Sequence, residues 1–288
     1  MTLRDRVGAE LFRKVAGPDA QRQRERVHGS PGPRWFETGS PITRVHGDAS
    51  MFVGGIRAIM LQALHPAAMQ GVVDHSGYRG DMWGRLAQVA TYIAVTTFGT
   101  EQHAMQAIRA VRRAHESVTG TLPDGTPYAA SDPHLLGWVH AAEIDSFLAA
   151  HDRYGHRRLV GAERDQYVAQ TAVAAGHLGV VDPPRTEVEL RATLASYSPE
   201  LRATDDARDA IRFLMLHPDL PLPARPGYLS LATAAIGLLP ADARRELRLP
   251  PVPALTDRVL GSAATRTIRW AMAPGHAQAR QLQRTARA

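Results

Sequence analysis

Apolar residues recur along this chain at spacings of three and four, and alternating β-branched runs are almost absent, so the pattern predicts an all-α protein. The clearest stripe lies in residues 101–120. Ala104, Ile108, Val111 and Val118 share one helix face, and His115 falls inside it. Thr100 is placed to cap this helix, with Glu101 and Gln102 at the positive end of its dipole.

The same reading predicts a helix from about Ala49 to Leu64, capped by Asp48 and ended near His65 because Pro66 disfavours α geometry in the residue before it. A short helix over Ala67–Val73, a loop at DHSGYRGD and a mostly apolar helix from about Trp83 to Thr97 follow. TLPDGTPYAASDP reads as a turn-rich excursion, closed by Asp132-Pro133, which caps and starts a helix bearing His140. Further helices are expected at about 161–179, 186–195, 205–216, 228–246 and 256–272, with HPDLPLPARPGY as extended, polyproline-like chain. No repeat or composition shift divides the sequence. It is read as one multi-helical domain over 35–272, preceded by a charged helix and linker (1–34) and followed by a basic tail (273–288), a frayed helix end.

Composition narrows the chemistry. With 288 residues the chain can bury a large core, and with no cysteine it has no disulfide, thiolate-bound haem, cysteine-ligated cluster or cysteine nucleophile. The net charge of +6 is almost wholly arginine, since Lys14 is the only lysine, and the arginines are scattered among 28 acidic residues. No aromatic residue interleaves the basic tail, so no nucleic-acid partner is expected. MTLRDRVGAELFRKV carries charges where a signal peptide needs an apolar run, and Arg57, Gln62, His65 and Pro66 interrupt the most apolar stretch. A cytoplasmic protein without a membrane span is expected.

Phosphate loops, GxSxG, HExxH and paired CxxC motifs are missing, and the one ExxH match, Glu25 to His28, lies in a charged segment. What remains is histidine on apolar helices: His65, His75, His115 and His140. Asp74 beside His75, and Glu143 one turn from His140, are candidates to orient those rings. On periodicity alone His115 reads either as a core histidine satisfied by a nearby acceptor or as a neutral ligand for a metal or haem.

The ordered motifs GGIRAIMLQALHPAAMQGVVDHSGYRGDMWGRLAQVATYIAVTTFGT, VRRAHESVTG, PDGTPYAASDPHLLGWVH and HPDLPLPARPGY make the chain similar to one known family. Over about 35–272 it resembles the catalytic domain shared by latex-clearing rubber oxygenases and the endoplasmic-reticulum-bound fungal oxygenase of mycophenolic acid synthesis. The resemblance implies a globin-like core that binds haem b, with His115 of Val111-Arg112-Arg113-Ala114-His115 as the iron ligand and Val111 and Arg112 beside the cofactor. It implies a distal face at Arg85, where Gln88 and Val89 replace the family's lysine and threonine; Thr119 likewise replaces a family arginine. Arg225 in LPARP matches a family arginine that is either a helix-end clamp or a propionate partner.

The function so implied is a haem-dependent oxidoreductase using O2 or peroxide on an apolar small molecule, with Arg85 and Gln88 acting at the distal face. Rubber cleavage is not carried over, because Val89 offers no hydrogen bond and Gln88 cannot titrate. Two alternatives stand beside it: a non-catalytic haem or apolar-ligand binding protein, and a helical protein whose histidines are merely packed.

Overall fold

The helical periodicity is realised as thirteen α-helices among the described residues of a computed structural model, namely 17, 19–76, 82–216, 220 and 222–286. Helices α1 (Ala20–Gly29), α2 (Pro41–His46), α3 (Met51–Gln62) and α4 (Pro66–Ser76) lead into α5 (Met82–Phe98) and α6 (Glu101–Glu116). A hairpin of β1 (Thr119–Thr121) and β2 (Pro127–Ala129) precedes α7 (Pro133–Tyr154). After it come α8 (Ala162–Leu178), α9 (Glu187–Ser196), α10 (Asp205–Leu216), α11 (Arg225–Leu238), α12 (Ala241–Glu246) and α13 (Ala254–Thr285). Side chains start two of the central helices as expected: Thr100 accepts from His103 N at 3.3 Å, and Asp132 accepts from His134 N at 2.9 Å.

Helix α7 is the axis of the fold. Trp138, Ala141, Ala142, Ile144, Phe147, Leu148 and Ala150 are all buried, so apolar residues meet neighbours on most of its circumference. Each large side chain contributes roughly 1.5–3 kcal/mol by leaving water. Helix α3 lies antiparallel against it. A Cβ on Gly54 would fall 2.8 Å from the Phe147 ring, so only glycine permits this approach, while at the other end Gln62 Nε2 donates to Val139 O at 3.1 Å. Helix α11 packs on α3, α13 on α11, and α1 on α13; α5 pairs with α6, and α2 touches both α5 and α8.

Several boundaries differ from the sequence reading. Asp48 does not cap α3, which begins after Ser50. Its carboxylate accepts from Ser50 N at 2.8 Å and holds Arg269 at 3.0 and 3.1 Å, so the acid fixes the turn before the helix. Helix α4 extends through the first residues of the expected loop, DHS; the remainder of that loop, 77–81, lies outside the described residues. The turn-rich excursion contains the small antiparallel hairpin, with Thr119 opposite Ala129. The helix expected over 228–246 is two helices, because Pro240 cannot continue α11.

Two further differences concern the ends of the domain. Helix α13 crosses residue 272 and continues to Thr285, with Pro274 inside it. Tertiary contact outweighs the proline there: α1 packs alongside, and Arg24 Nη1 donates to Gln278 Oε1 at 3.0 Å. The segment expected as a linker is tied down, since Arg34 donates to the carbonyls of Val27, His28, Ser30 and Phe98. Of the polyproline-like segment, residues 217–219 and 221 lie outside the description; Leu222–Ala224 is a 3-10 turn that leads into α11.

Candidate functional site

The stripe on α6 opens gradually. Ala104 and Ile108 are buried, Val111, His115 and Val118 are half-buried, and Arg112, Arg113 and Ala114 are exposed. Arg112 lies three residues before His115, at the solvent-exposed edge of the same face. Burial holds the His115 pKa below its ordinary value, which keeps the imidazole neutral at pH 7. Its Nδ1 is buried without a hydrogen-bond partner, so the acceptor expected for that nitrogen is not there.

Helix α5 carries a matching stripe: Arg85, Gln88, Val89 and Tyr92 follow at three, four and seven residues. Arg85 is half-buried, its pKa is lowered by desolvation, and it has no hydrogen bond or ion pair among the described residues. Gln88 is exposed and Val89 is 49% exposed, so the middle of the stripe is open to solvent. Farther in, the Tyr92 hydroxyl pKa is raised by burial and then by the nearby Glu143 carboxyl. The stripe thus runs from a half-buried Arg85 through exposed Gln88 and Val89 to a desolvated Tyr92.

Helix α7 supplies the deepest polar groups. His140 and Glu143 are one turn apart among fully buried Ala141 and Ala142, yet both keep accessible surface. At the same time burial pushes His140 down to about 4 and Glu143 up to about 7. Partial exposure inside a strongly desolvating shell is what side chains on the wall of an internal cavity would show. On α3, which packs against α7, a methyl group on Gly55 would meet no atom within 4 Å, although flanking Gly54 is tightly packed. Half-buried Ile59 and Gln62 continue the Gly55 stripe, and Gln62 reaches Val139 O, one residue before His140.

The pairs read as imidazole orienters do not form. Glu143 has no hydrogen bond to His140, whose Nε2 is buried without a partner. Asp74 accepts from Tyr128 at 2.6 Å and from Gln70 at 2.8 Å, while His75 Nε2 meets Thr119 O at 3.0 Å. Arg225 is exposed, and its Nε donates to Leu220 O at 3.1 Å, which clamps its own loop. His65 faces Glu200 at 3.3 Å. A separate groove lined by Asp182, Pro184, Arg185 and Thr193 is open to solvent and has no histidine.

Sequence reasoning found the stripe of α6, and the resemblance the positions on α5, but the orienting role given to Glu143 is not realised. The available signal was a lone acid in the apolar run HAAEIDSFLAA. Helices α5 and α6 pack together and carry Arg85 and His115, while Tyr92 brings α5 close to Glu143 on α7. A neutral imidazole with no thiolate, and among the described residues a guanidinium without a counter-charge, are donor types that suit haem b and its propionates.

The family model described as ER-bound oxygenase mpaB/B'/Rubber oxygenase, catalytic domain, matches residues 43–270, which take in α3 through most of α13. No curated protein and no solved structure matches the chain. Among the described residues no helix is long and apolar enough to cross a membrane.

Proposed function

The chain belongs to the family of the ER-bound oxygenase mpaB/B' and rubber oxygenase catalytic domain, and from that premise we propose that it is a b-type haem oxidoreductase. It acts with O2 or peroxide on an apolar small molecule. The observation that carries this reading is His115: a neutral imidazole on a half-buried apolar stripe, with the unpaired Arg85 guanidinium on the neighbouring helix.

His115 would hold the cofactor's iron, Val111 would pack on the macrocycle, and Arg85 would pair with a propionate or with charge that develops on the distal side. When bound, haem supplies the one-electron and oxygen chemistry that protein side chains lack. Gln88 can donate one hydrogen bond but no proton. Glu143, held near neutral titration beside Tyr92, can accept or return a proton inside the cavity, and its hydrocarbon surroundings exclude bulk water. Apolar walls favour a hydrocarbon-rich substrate over a charged one.

Haem reconstitution followed by visible spectroscopy of the wild type and of His115→Ala tests this reading. The openness around Gln88 and Val89 favours a second reading, a haem or apolar-ligand carrier without turnover. Turnover with peroxide, or with ascorbate plus O2, separates the two.

A further inference from the structure

A second constellation meets at the start of α7. His65 comes from the turn between α3 and α4, His134 from the first turn of α7, and Glu200 from the 3-10 turn Ser198–Glu200. The Glu200 oxygens lie 2.9 and 3.0 Å from His134 Nε2, and one of them lies 3.3 Å from His65 Nε2. All three donor atoms fall within 4.8 Å of one another. We propose that His65, His134 and Glu200 form a binding site for one divalent transition-metal ion of the zinc class, with water completing the coordination shell.

The ligand set is right for such an ion. Two imidazoles and one carboxylate are a recurring zinc set, with bonds of about 2.0–2.2 Å, which puts donors roughly 3.3–3.5 Å apart in a tetrahedral shell. The imidazole–carboxylate separations need to open by only a few tenths of an ångström to admit it. The carboxylate also has no permanent cation as partner. Although arginine abounds in this chain, Arg202 pairs with Asp124 at 3.5 Å, and among the described residues only the two histidines form ion pairs with Glu200.

The three ligands stand on fixed supports. Tyr197 Oη donates to His134 O at 2.7 Å, and its ring packs against that imidazole with centroids 4.5 Å apart. Glu200 N donates to Tyr197 O at 2.9 Å, and Arg202 N donates to Leu64 O at 2.9 Å, which ties the acid's segment to the His65 turn. On the open side the side chains of His134 and Glu200 are 56% and 41% exposed, so water can complete the shell.

Metal-free, both Nε2 atoms lie within hydrogen-bond reach of the carboxylate. On binding, each Nε2 gives its lone pair to the ion and the ring's remaining proton sits on Nδ1. For His65 that Nδ1 is buried without an acceptor, an incomplete outer shell that weakens affinity by roughly 10–100-fold. A bound ion would cross-link the end of α3 to the start of α7, two helices packed along their length.

The test uses the tag-free, chelator-treated full chain, titrated with Zn2+ by calorimetry and with Co2+ as a visible probe. The expected result is one saturable site that His134→Ala and Glu200→Gln each weaken at least tenfold, and a Zn2+-induced rise in Tm that both variants lose. Far-ultraviolet circular dichroism checks that both exposed substitutions leave the fold intact. His115→Ala is expected to bind Zn2+ as the wild type does, which separates this site from the haem reading. Absence of saturable binding, or binding that survives in either His134→Ala or Glu200→Gln, overturns the proposal.

Discussion

The guanidinium of Arg57 on α3 lies 2.7 Å from the carboxylate of Asp145 on α7. The same nitrogen donates to Ser146 Oγ at 2.8 Å, and Arg57 Nε donates to Leu238 O at 3.0 Å, so one buried side chain joins three helices. It fixes the register of α3 against α7, the helices that carry Gly55 and Glu143. Arg57→Met strands the Asp145 charge in a partly buried position. Because that carboxylate is 29% exposed, the expected loss is about 2–4 kcal/mol, somewhat below that for a fully buried pair. Urea unfolding at pH 7 measures it; an unchanged midpoint would show that the bridge carries no net stability.

Gly55 tests the cavity itself. Alanine there has room and better helix propensity, so Gly55→Ala should stabilise the haem-free protein by roughly 0.5–1 kcal/mol. Gly55→Phe should fill the space and lower haem uptake severalfold without lowering Tm. Full uptake by the Phe variant would place the cofactor elsewhere.

Arg85 is expected to act in opposite directions in the two states. As a desolvated cation without a partner it costs stability when the cavity holds no anion, so Arg85→Met should raise the Tm of the haem-free chain. In the reconstituted protein the same change should speed haem loss to a scavenger globin severalfold. If neither quantity moves, Arg85 is a solvated helix residue.

Glu143 gives a pH signature of defined sign. Its carboxyl titrates near 7 in the fold against an ordinary value of 4.5, so the fold favours the protonated form. That stability is fully present below about pH 4.5 and is lost as pH rises through about 7. Glu143→Gln should therefore match the wild type at pH 4 and exceed it at pH 8, by up to roughly 3 kcal/mol. His140 works the other way: with its pKa pushed down to about 4, its contribution is present above about 6.5 and lost as pH falls through 4. Parallel stability profiles for the wild type and Glu143→Gln would mean that the acid is solvated.

Local chemistry made much of this fold legible in the sequence. The caps at Thr100 and Asp132 and the stripe through His115 depend on residues within one or two turns, and the structure shows them at the expected places. What stayed hidden depended on distant partners. Strands of three residues are too short to reveal alternation, and the persistence of α13 past Pro274 rests on α1, which lies some 250 residues away in sequence. The site divides in the same way. Periodicity brought out His115 and the family resemblance brought out Arg85, but no spacing within α7 tells how strongly its neighbours desolvate Glu143. The carboxylate that meets His65 and His134 arrives from a separate turn after α9, so that cluster has no sequence motif.

The most direct measurement is the visible absorption spectrum of the haem-reconstituted full chain and of its His115→Ala and His140→Ala variants, at equal protein concentration. The expected result is a strong Soret band that His115→Ala abolishes or shifts and His140→Ala largely keeps, because His115 has a neutral ring on an open apolar stripe while His140 Nε2 is buried in the wall. No Soret band in the wild type, or equal loss in both variants, would contradict the assignment of His115 as the haem ligand.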